Sequence, residues 1–320
     1  MMQYVGLRGG ITMPSVSAQA PRGVVMIRPH HFIPNEATAA DNAFQNRDET
    51  RTVALIRTEA YRESTRMAER LQAAGVTVHL FEDETEGRPD SVFPNNWFST
   101  HSGGHIAVYP MFSPSRQAER RWDIIEFLKR HYRVQDVIDY SGLEQDGIFL
   151  EGTGAMVLDH IERVAYAARS NRTNEVALER FCTHFNFEPM LFDACDRSGR
   201  PIYHTNVMMC LGTELCLIGL ASITSDRRRA EVRERLEAGG RTVIDLTNEQ
   251  IEAFAGNALE LQGRDGRLLA ISSRAMRSLR PDQIAAIERC IAPLSLDIPT
   301  IELAGGSVRC MLAGIHLALR

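Results

Sequence analysis

Apolar positions from residue 51 to 74 fall on one helical stripe, Val53, Ile56, Ala60, Met67 and Leu71, which ends at Gly75. The segment that follows, Val76 to Phe81, alternates and predicts a strand. The same helix-to-strand sequence recurs four times: helix 116–131 with strand 134–139, helix 174–185 with strand 187–193, helix 226–238 with strand 241–246, and helix 282–291 with a short strand near 294–298. After each such strand comes a polar loop, then a strand predicted to begin at a conspicuous polar residue.

Those polar residues are Asn96, Glu151, His204, Asn257 and Cys310, in the segments FPNNWF, FLEGTG, YHTNVM, AGNALE and SVRCML. From 96 to 151 is 55 positions, and from 151 to 204, 204 to 257 and 257 to 310 is 53 each. Such a period predicts a closed array of α/β units, because the apolar faces of each unit need a neighbour on either side. Closure brings equivalent positions to one mouth, where Asn, Glu, His, Asn and Cys would form a site. Gly23 to Arg28 has no helix before it, so it is predicted to supply the missing strand of the last unit. A doubly wound parallel sheet is the competing architecture. Against it stand two or three strands per helix, and the absence of a G-x-G-x-x-G after any strand.

Composition narrows the function. In 320 residues with 44% hydrophobic content there is apolar surface for a large core. The net charge of −5, and an Arg227-Arg228-Arg229 run self-paired with Glu231 and Glu234, argue against nucleic acid as a partner. Six cysteines without C-x-x-C spacing predict neither a zinc site nor a disulfide framework. His101 and His105 are separated by two glycines, which predicts a hairpin turn and no metal. Ala18-Gln19-Ala20 imitates a signal-peptidase site, but Arg8, Gly9, Gly10 and Pro14 interrupt any apolar stretch, so residues 1–22 are expected to be a flexible tail ahead of a single catalytic domain, 23–320. No run is long enough to span a bilayer, which makes no membrane partner and a cytoplasmic location the expectation.

Four motifs in order then resemble the guanidine-modifying superfamily of arginine deiminases, dimethylarginine hydrolases and amidinotransferases. Phe93-Pro94-Asn95-Asn96 looks like its F-x-x-D, Glu151-Gly152-Thr153-Gly154 its E-G-G-D, His204-Thr205-Asn206 its H-x-D, and Gly305-Gly306-Ser307-Val308-Arg309-Cys310 its terminal G-G-x-x-x-C. The resemblance covers roughly residues 23–320 and implies a five-bladed α/β propeller, the pentein fold, of ββαβ-type units with pseudo-five-fold symmetry. It also implies Cys310 as nucleophile, His204 as general acid and base, and Glu151 as its carboxylate partner, with no cofactor. The residues support those roles independently. A guanidino or ureido carbon is a poor electrophile, a thiolate divides one hard substitution into two easier ones, and an imidazole titrating near neutrality can serve both halves. Gly305 and Gly306 would let the backbone approach the substrate, and Arg309 would raise the positive potential beside the sulfur.

The chain departs from the family where arginine-processing members place carboxylates, carrying Asn96 and Asn206 instead. An ionised carboxylate only accepts hydrogen bonds, whereas Asn also donates. The exchange predicts a neutral ureido head, and the chain resembles a citrulline-hydrolysing branch. Phe93 would stack on the planar head and Asn96 and Asn206 would contact its nitrogen and oxygen atoms. Arg172 either grips the substrate α-carboxylate or is a surface residue at the start of the following helix. Asn257 is expected to be structural. Arginine deiminase, dimethylarginine hydrolase, amidinotransferase and a non-catalytic binding propeller are the rival readings. A homo-oligomer is compatible with the sequence, and loops 83–92 and 140–147 are candidates to cover the site.

Overall fold

A computed structural model describes residues 17–39, 42–46, 48 and 50–320. It is a mixed α/β structure of five three-stranded sheets. β1 (Gly23–Pro29) lies parallel to β2 (Thr77–Asp83), with Val24 opposite Val78. β3 (Phe98–His101) and β4 (His105–Val108) form an antiparallel hairpin, and β5 (Asp136–Asp139) adds parallel to β4. The same arrangement recurs in β6 (Met156–Asp159), β7 (Val164–Ala168) and β8 (Glu188–Phe192). It recurs again in β9 (Met209–Leu211), β10 (Leu215–Ile218) and β11 (Thr242–Asp245), and in β12 (Leu259–Gln262), β13 (Arg267–Ser272) and β14 (Ala292–Leu296). β15 (Ala313–Ile315) then pairs antiparallel with β1, Val24 opposite Gly314, so the strand without a preceding helix joins the carboxyl-terminal unit, as predicted.

A helix links the second and third strands of each sheet, because parallel neighbours need a crossover. Four of the five long helices match the predicted spans closely: Val53–Ala73, Glu175–Phe185, Asp226–Ala238 and Pro281–Cys290. Thr52, Asn174 and Ser225 cap three of them by accepting from backbone N–H groups of the first turn. The stripe Ile56, Ala60, Met67 and Leu71 is buried in one cluster with Val24 and Met26 of β1, each large side chain contributing about 1.5–3 kcal/mol. First strands β3, β6 and β9 are buried along their whole length.

Three expectations need correction. The predicted helix 116–131 is two pieces, Pro114–Gln117 and Trp122–His131, because Arg116 and Glu119 turn inward and are fully buried. The five polar anchors do not begin strands. They sit on tight turns two to five residues earlier, as with Glu151 ahead of the turn Gly152–Ala155 and His204 ahead of Thr205–Val207. Residues 17–22 are packed and not a flexible tail: the Gln19 side chain donates to the carbonyls of Leu158 (3.0 Å) and Leu211 (3.1 Å), and Pro21 accepts from Gln262 N. The rest of the predicted tail, 1–16, lies outside the described residues. His101 and His105 face each other across the β3–β4 hairpin, whose Gly103 and Gly104 have φ of 90° and 93°. Among the described residues no group of three His, Cys, Asp or Glu side chains could hold a metal ion, and no helix is long and apolar enough to cross a membrane.

Candidate active site

The turns that carry the five anchors are laced to one another. Thr153 donates to the Asn95 carbonyl (3.1 Å), Thr205 to the Ala155 carbonyl (2.5 Å), and Asn257 to the Asn206 carbonyl (2.9 Å). Arg309 N donates to the Asn257 carbonyl (3.2 Å), and the Phe93 ring lies over Gly306, where a Cβ would come within 2.8 Å of it. Each turn therefore touches the next, and the last touches the first.

This lacing brings the predicted residues together. Phe93, Asn96, Arg172, His204 and Cys310 line one narrow pocket, with Glu151 behind His204 and Asn206 behind Cys310. His204 Nε2 lies 2.8 Å from Glu151 Oε2. Since an ionised carboxylate can only accept, Nε2 carries the hydrogen and Nδ1 is left as the basic nitrogen. Burial would push Glu151 up, but the Arg172 guanidinium, the His204 hydrogen bond and Arg116 outweigh it and hold the carboxyl well below its usual range. Burial also pulls His204 down to about 4, against the opposing pull of Glu151. The expectation of an imidazole titrating near neutrality is corrected accordingly: in the free protein at neutral pH His204 is neutral.

Cys310 is buried, and two amide groups point at its sulfur: Asn257 Nδ2 at 3.2 Å and Asn206 Nδ2 at 3.4 Å. Asn257 also accepts from the Cys310 backbone N–H at 3.4 Å. Asn257 therefore both joins its turn to the next and places an N–H donor on the sulfur. Asn206 Oδ1 is buried with no hydrogen-bond partner among the described residues. The surroundings of Asn96 orient its amide with the oxygen toward Arg116 Nη1 (2.8 Å) and Nη2 (3.1 Å). Arg172 is fully buried and not a surface residue; its guanidinium lies 3.4 Å from Glu151 and 4.9 Å from the centre of the Tyr203 ring.

Glycines make this closeness feasible. A Cβ on Gly154 would sit 2.2 Å from the Asn96 amide and 2.8 Å from His204 Nδ1. Gly305 and Gly306 meet Asn42 and the Phe93 ring, so the glycine pair admits those side chains. Arg309 turns away from the pocket, donating to the Leu312 carbonyl at 2.9 Å.

Sequence reading missed Asp90, Arg116, Thr38, Asn42 and Tyr203, all of which line the pocket. Arg116 is held by Glu119 (2.9 Å), Glu151 (3.7 Å) and Asp90 (3.8 Å). Asp90, whose carboxyl burial pushes up, also accepts from Asn35 at 2.8 Å. Of the two loops expected to cover the site, 83–92 supplies Asp90 to the wall, whereas 140–147 lines none of it; Thr38 and Asn42 come from the segment after β1.

A family model described as N,N dimethylarginine dimethylhydrolase, eukaryotic, matches residues 28–317. Among solved structures, the chain is similar to the substrate-bound N-terminal domain of ArgZ, an arginine dihydrolase of the ornithine–ammonia cycle in cyanobacteria, at 16% identity and a TM-score of 0.71, covering 92% of this chain and 97% of that one. It is similar to AgrE in complex with ornithine and NAD+ at 16% identity and a TM-score of 0.72, covering 93% of this chain but 40% of AgrE. It is also similar to a dimethylarginine dimethylaminohydrolase carrying a 4-chloro-2-hydroxymethylpyridine adduct, at 14% identity and a TM-score of 0.64, covering 92% of this chain and all of that one. At these identities the likeness is one of fold. No curated protein matches in sequence.

Proposed function

The chain belongs to the N,N dimethylarginine dimethylhydrolase family, hydrolases of guanidino C–N bonds, and on that premise we propose that it is a thiol hydrolase whose substrate head is the neutral ureido group of citrulline. What carries the reading is a single arrangement: Cys310 beneath two amide donors, and His204 on the wall of the same pocket with Glu151 behind it. We read the five similar sheets as a five-bladed propeller forming one catalytic domain. The turn-to-turn contacts that run from Phe93 round to Gly306 support it.

Catalysis follows from the protonation states. The Cys310 sulfur attacks the ureido carbon, and the thiol proton passes to His204, whose imidazolium Glu151 stabilises. That proton goes to the departing nitrogen as its bond to carbon breaks, releasing ornithine and leaving an S-carbamoyl Cys310. His204, neutral again, takes a proton from water, which attacks the carbamoyl carbon and expels the thiolate. The carbamate formed breaks down to ammonia and carbon dioxide. Phe93 stacks on the planar head, and Asn206, behind the sulfur and with no partner for its Oδ1 among the described residues, is the acceptor available to the head's NH2 group once the head sits against Cys310. Asn96 meets the head beside it, its oxygen held by Arg116. Arg172 presents its guanidinium to the substrate carboxylate, a planar fork suited to it.

The two asparagines favour the neutral head. The pocket's arginines already face its carboxylates, Arg172 on Glu151, and Arg116 on Glu119, Glu151 and Asp90. What favours the neutral head is Asn96 and Asn206, which offer no carboxylate where a guanidinium would need one, whereas a ureido group needs none. A second reading, hydrolysis of dimethylarginine, rests on the family match and on Asp90, a carboxylate at the pocket wall. Turnover of citrulline, arginine and dimethylarginine by the purified protein separates them. Citrulline is expected to react fastest; turnover of the cationic substrates alone would refute the argument from Asn96 and Asn206. Product analysis with added amines distinguishes hydrolysis from amidino transfer.

A further inference from the structure

A second cavity shares no lining residue with the first. Its walls take one strand from each of the five sheets, with Thr100 of β3, Leu158 of β6, Cys210 of β9, Leu259 of β12 and Gly314 of β15. Its volume is about 40 Å³, room for a few water-sized groups and nothing as large as a nucleotide.

The charged chemistry on its wall has one sign. Arg309, His160 and His316 line the cavity, and among the described residues no carboxylate does. The two imidazoles stack with centroids 4.0 Å apart and planes 24° from parallel. Neighbouring carboxylates are engaged elsewhere: Asp159 with Arg241 at 2.7 Å, Glu260 with Arg267 at 2.9 Å. Arg309 gives one N–H to the Leu312 carbonyl and His316 is bonded to the Ala18 carbonyl. The remaining Arg309 donors and the His160 ring have no such protein partner among the described residues. Burial pulls Arg309 and His160 toward their neutral forms, with no acid countering it for His160. Arg nevertheless stays charged in proteins, and the half-buried Arg309 faces no carboxylate on this wall among the described residues. A single positive charge beside neutral imidazoles suits a single negative charge.

We propose that this cavity binds one small monovalent anion, a halide or a formate-sized carboxylate, through the Arg309 guanidinium and the His160 ring N–H. The nucleophile's own turn then separates two pockets, Cys310 facing one and Arg309 the other. The test is thermal unfolding in sodium chloride, bromide or formate, against the sodium salt of a bulky sulfonate at equal ionic strength. A saturable rise in Tm with the small anions is expected, absent with the sulfonate. Arg309→Met should abolish it, and His160→Phe, which keeps a ring without the donor, should weaken half-saturation roughly tenfold. Equal response to every salt, or an unchanged response in His160→Phe, overturns the proposal. Should Arg309→Met not fold, anomalous scattering from crystals of the unaltered protein in bromide decides: a peak between Arg309 and His160 supports the site, and none at saturating bromide refutes it. Because the readout is binding and not turnover, failure here leaves the thiol-hydrolase reading untouched.

Discussion

Replacing Glu151 by Gln removes one charge and little volume from the centre of the site. The carboxylate accepts from His204 Nε2 at 2.8 Å and from Phe112 N at 3.0 Å, and it lies 3.4 Å from Arg172 and 3.7 Å from Arg116. A Gln oxygen can still accept from the imidazole, so ring orientation survives. What disappears is the attraction for the imidazolium formed when His204 takes the thiol proton. Two unit charges about 4 Å apart at an effective dielectric of about 20 attract by ~4 kcal/mol, which corresponds to roughly a thousandfold in kcat. The arginines also lose a counter-ion, and breaking such a buried arrangement costs about 3–5 kcal/mol of stability. Steady-state turnover is therefore read alongside a thermal melt, at a temperature where the variant is folded. The acid limb of kcat/KM carries a second sign. His204 must be neutral to accept the proton, so activity rises through its value of about 4 in the unaltered protein. Glu151 raises that value, so Glu151→Gln should move the limb to lower pH. A folded variant losing less than about tenfold in kcat, or a limb moving upward, would refute the role given to Glu151.

Other substitutions probe the remaining contacts. Gly154→Ala drives a methyl group into the Asn96 amide and His204 Nδ1; kcat should fall by about a hundredfold or more with a stability loss of only about 1–3 kcal/mol in a melt. Asn96→Asp adds a carboxylate beside Arg116 and should raise the ratio of arginine to citrulline kcat/KM by about tenfold or more, measured by competition. A haloacetamidine followed by peptide mapping should label Cys310 first, because Cys310 lines the pocket that would hold the reagent's planar head, whereas burial pushes Cys182 and Cys210 up to about 12. Asn257→Ala, which removes a donor from the sulfur, should slow that labelling about tenfold.

The parts of the molecule that repeat were legible in the sequence. The 53-residue spacing of Glu151, His204, Asn257 and Cys310 marked equivalent turns, and equivalence is what a periodic chain encodes most directly. Strand starts were placed too early because a tight turn and a strand entry share the same polar-then-apolar pattern. Arg116 could not be found this way. Its Glu119 partner is three residues on, which in a linear sequence is the mark of a surface helix pair, and nothing in SPSRQAER says that this turn faces inward. Asp90 was hidden by its setting in a polar, glycine- and proline-containing loop. Arg172 looked as much like surface as like site because an arginine's burial depends on partners distant in sequence, here Glu151 and Tyr203. The downward pull of burial on His204 was hidden for the same reason, since depth of burial has no local signature.

The central claim is that a sulfur near the carboxyl end does covalent chemistry with the imidazole and acid from the middle of the chain. Acid quench of the protein during citrulline turnover, followed by peptide mass mapping, tests it directly. A carbamoyl group on the Cys310 peptide, absent from Cys310→Ser and depleted when turnover ends, is the predicted result. Turnover by Cys310→Ser, or an adduct on any of the other cysteines with none on Cys310, would contradict it.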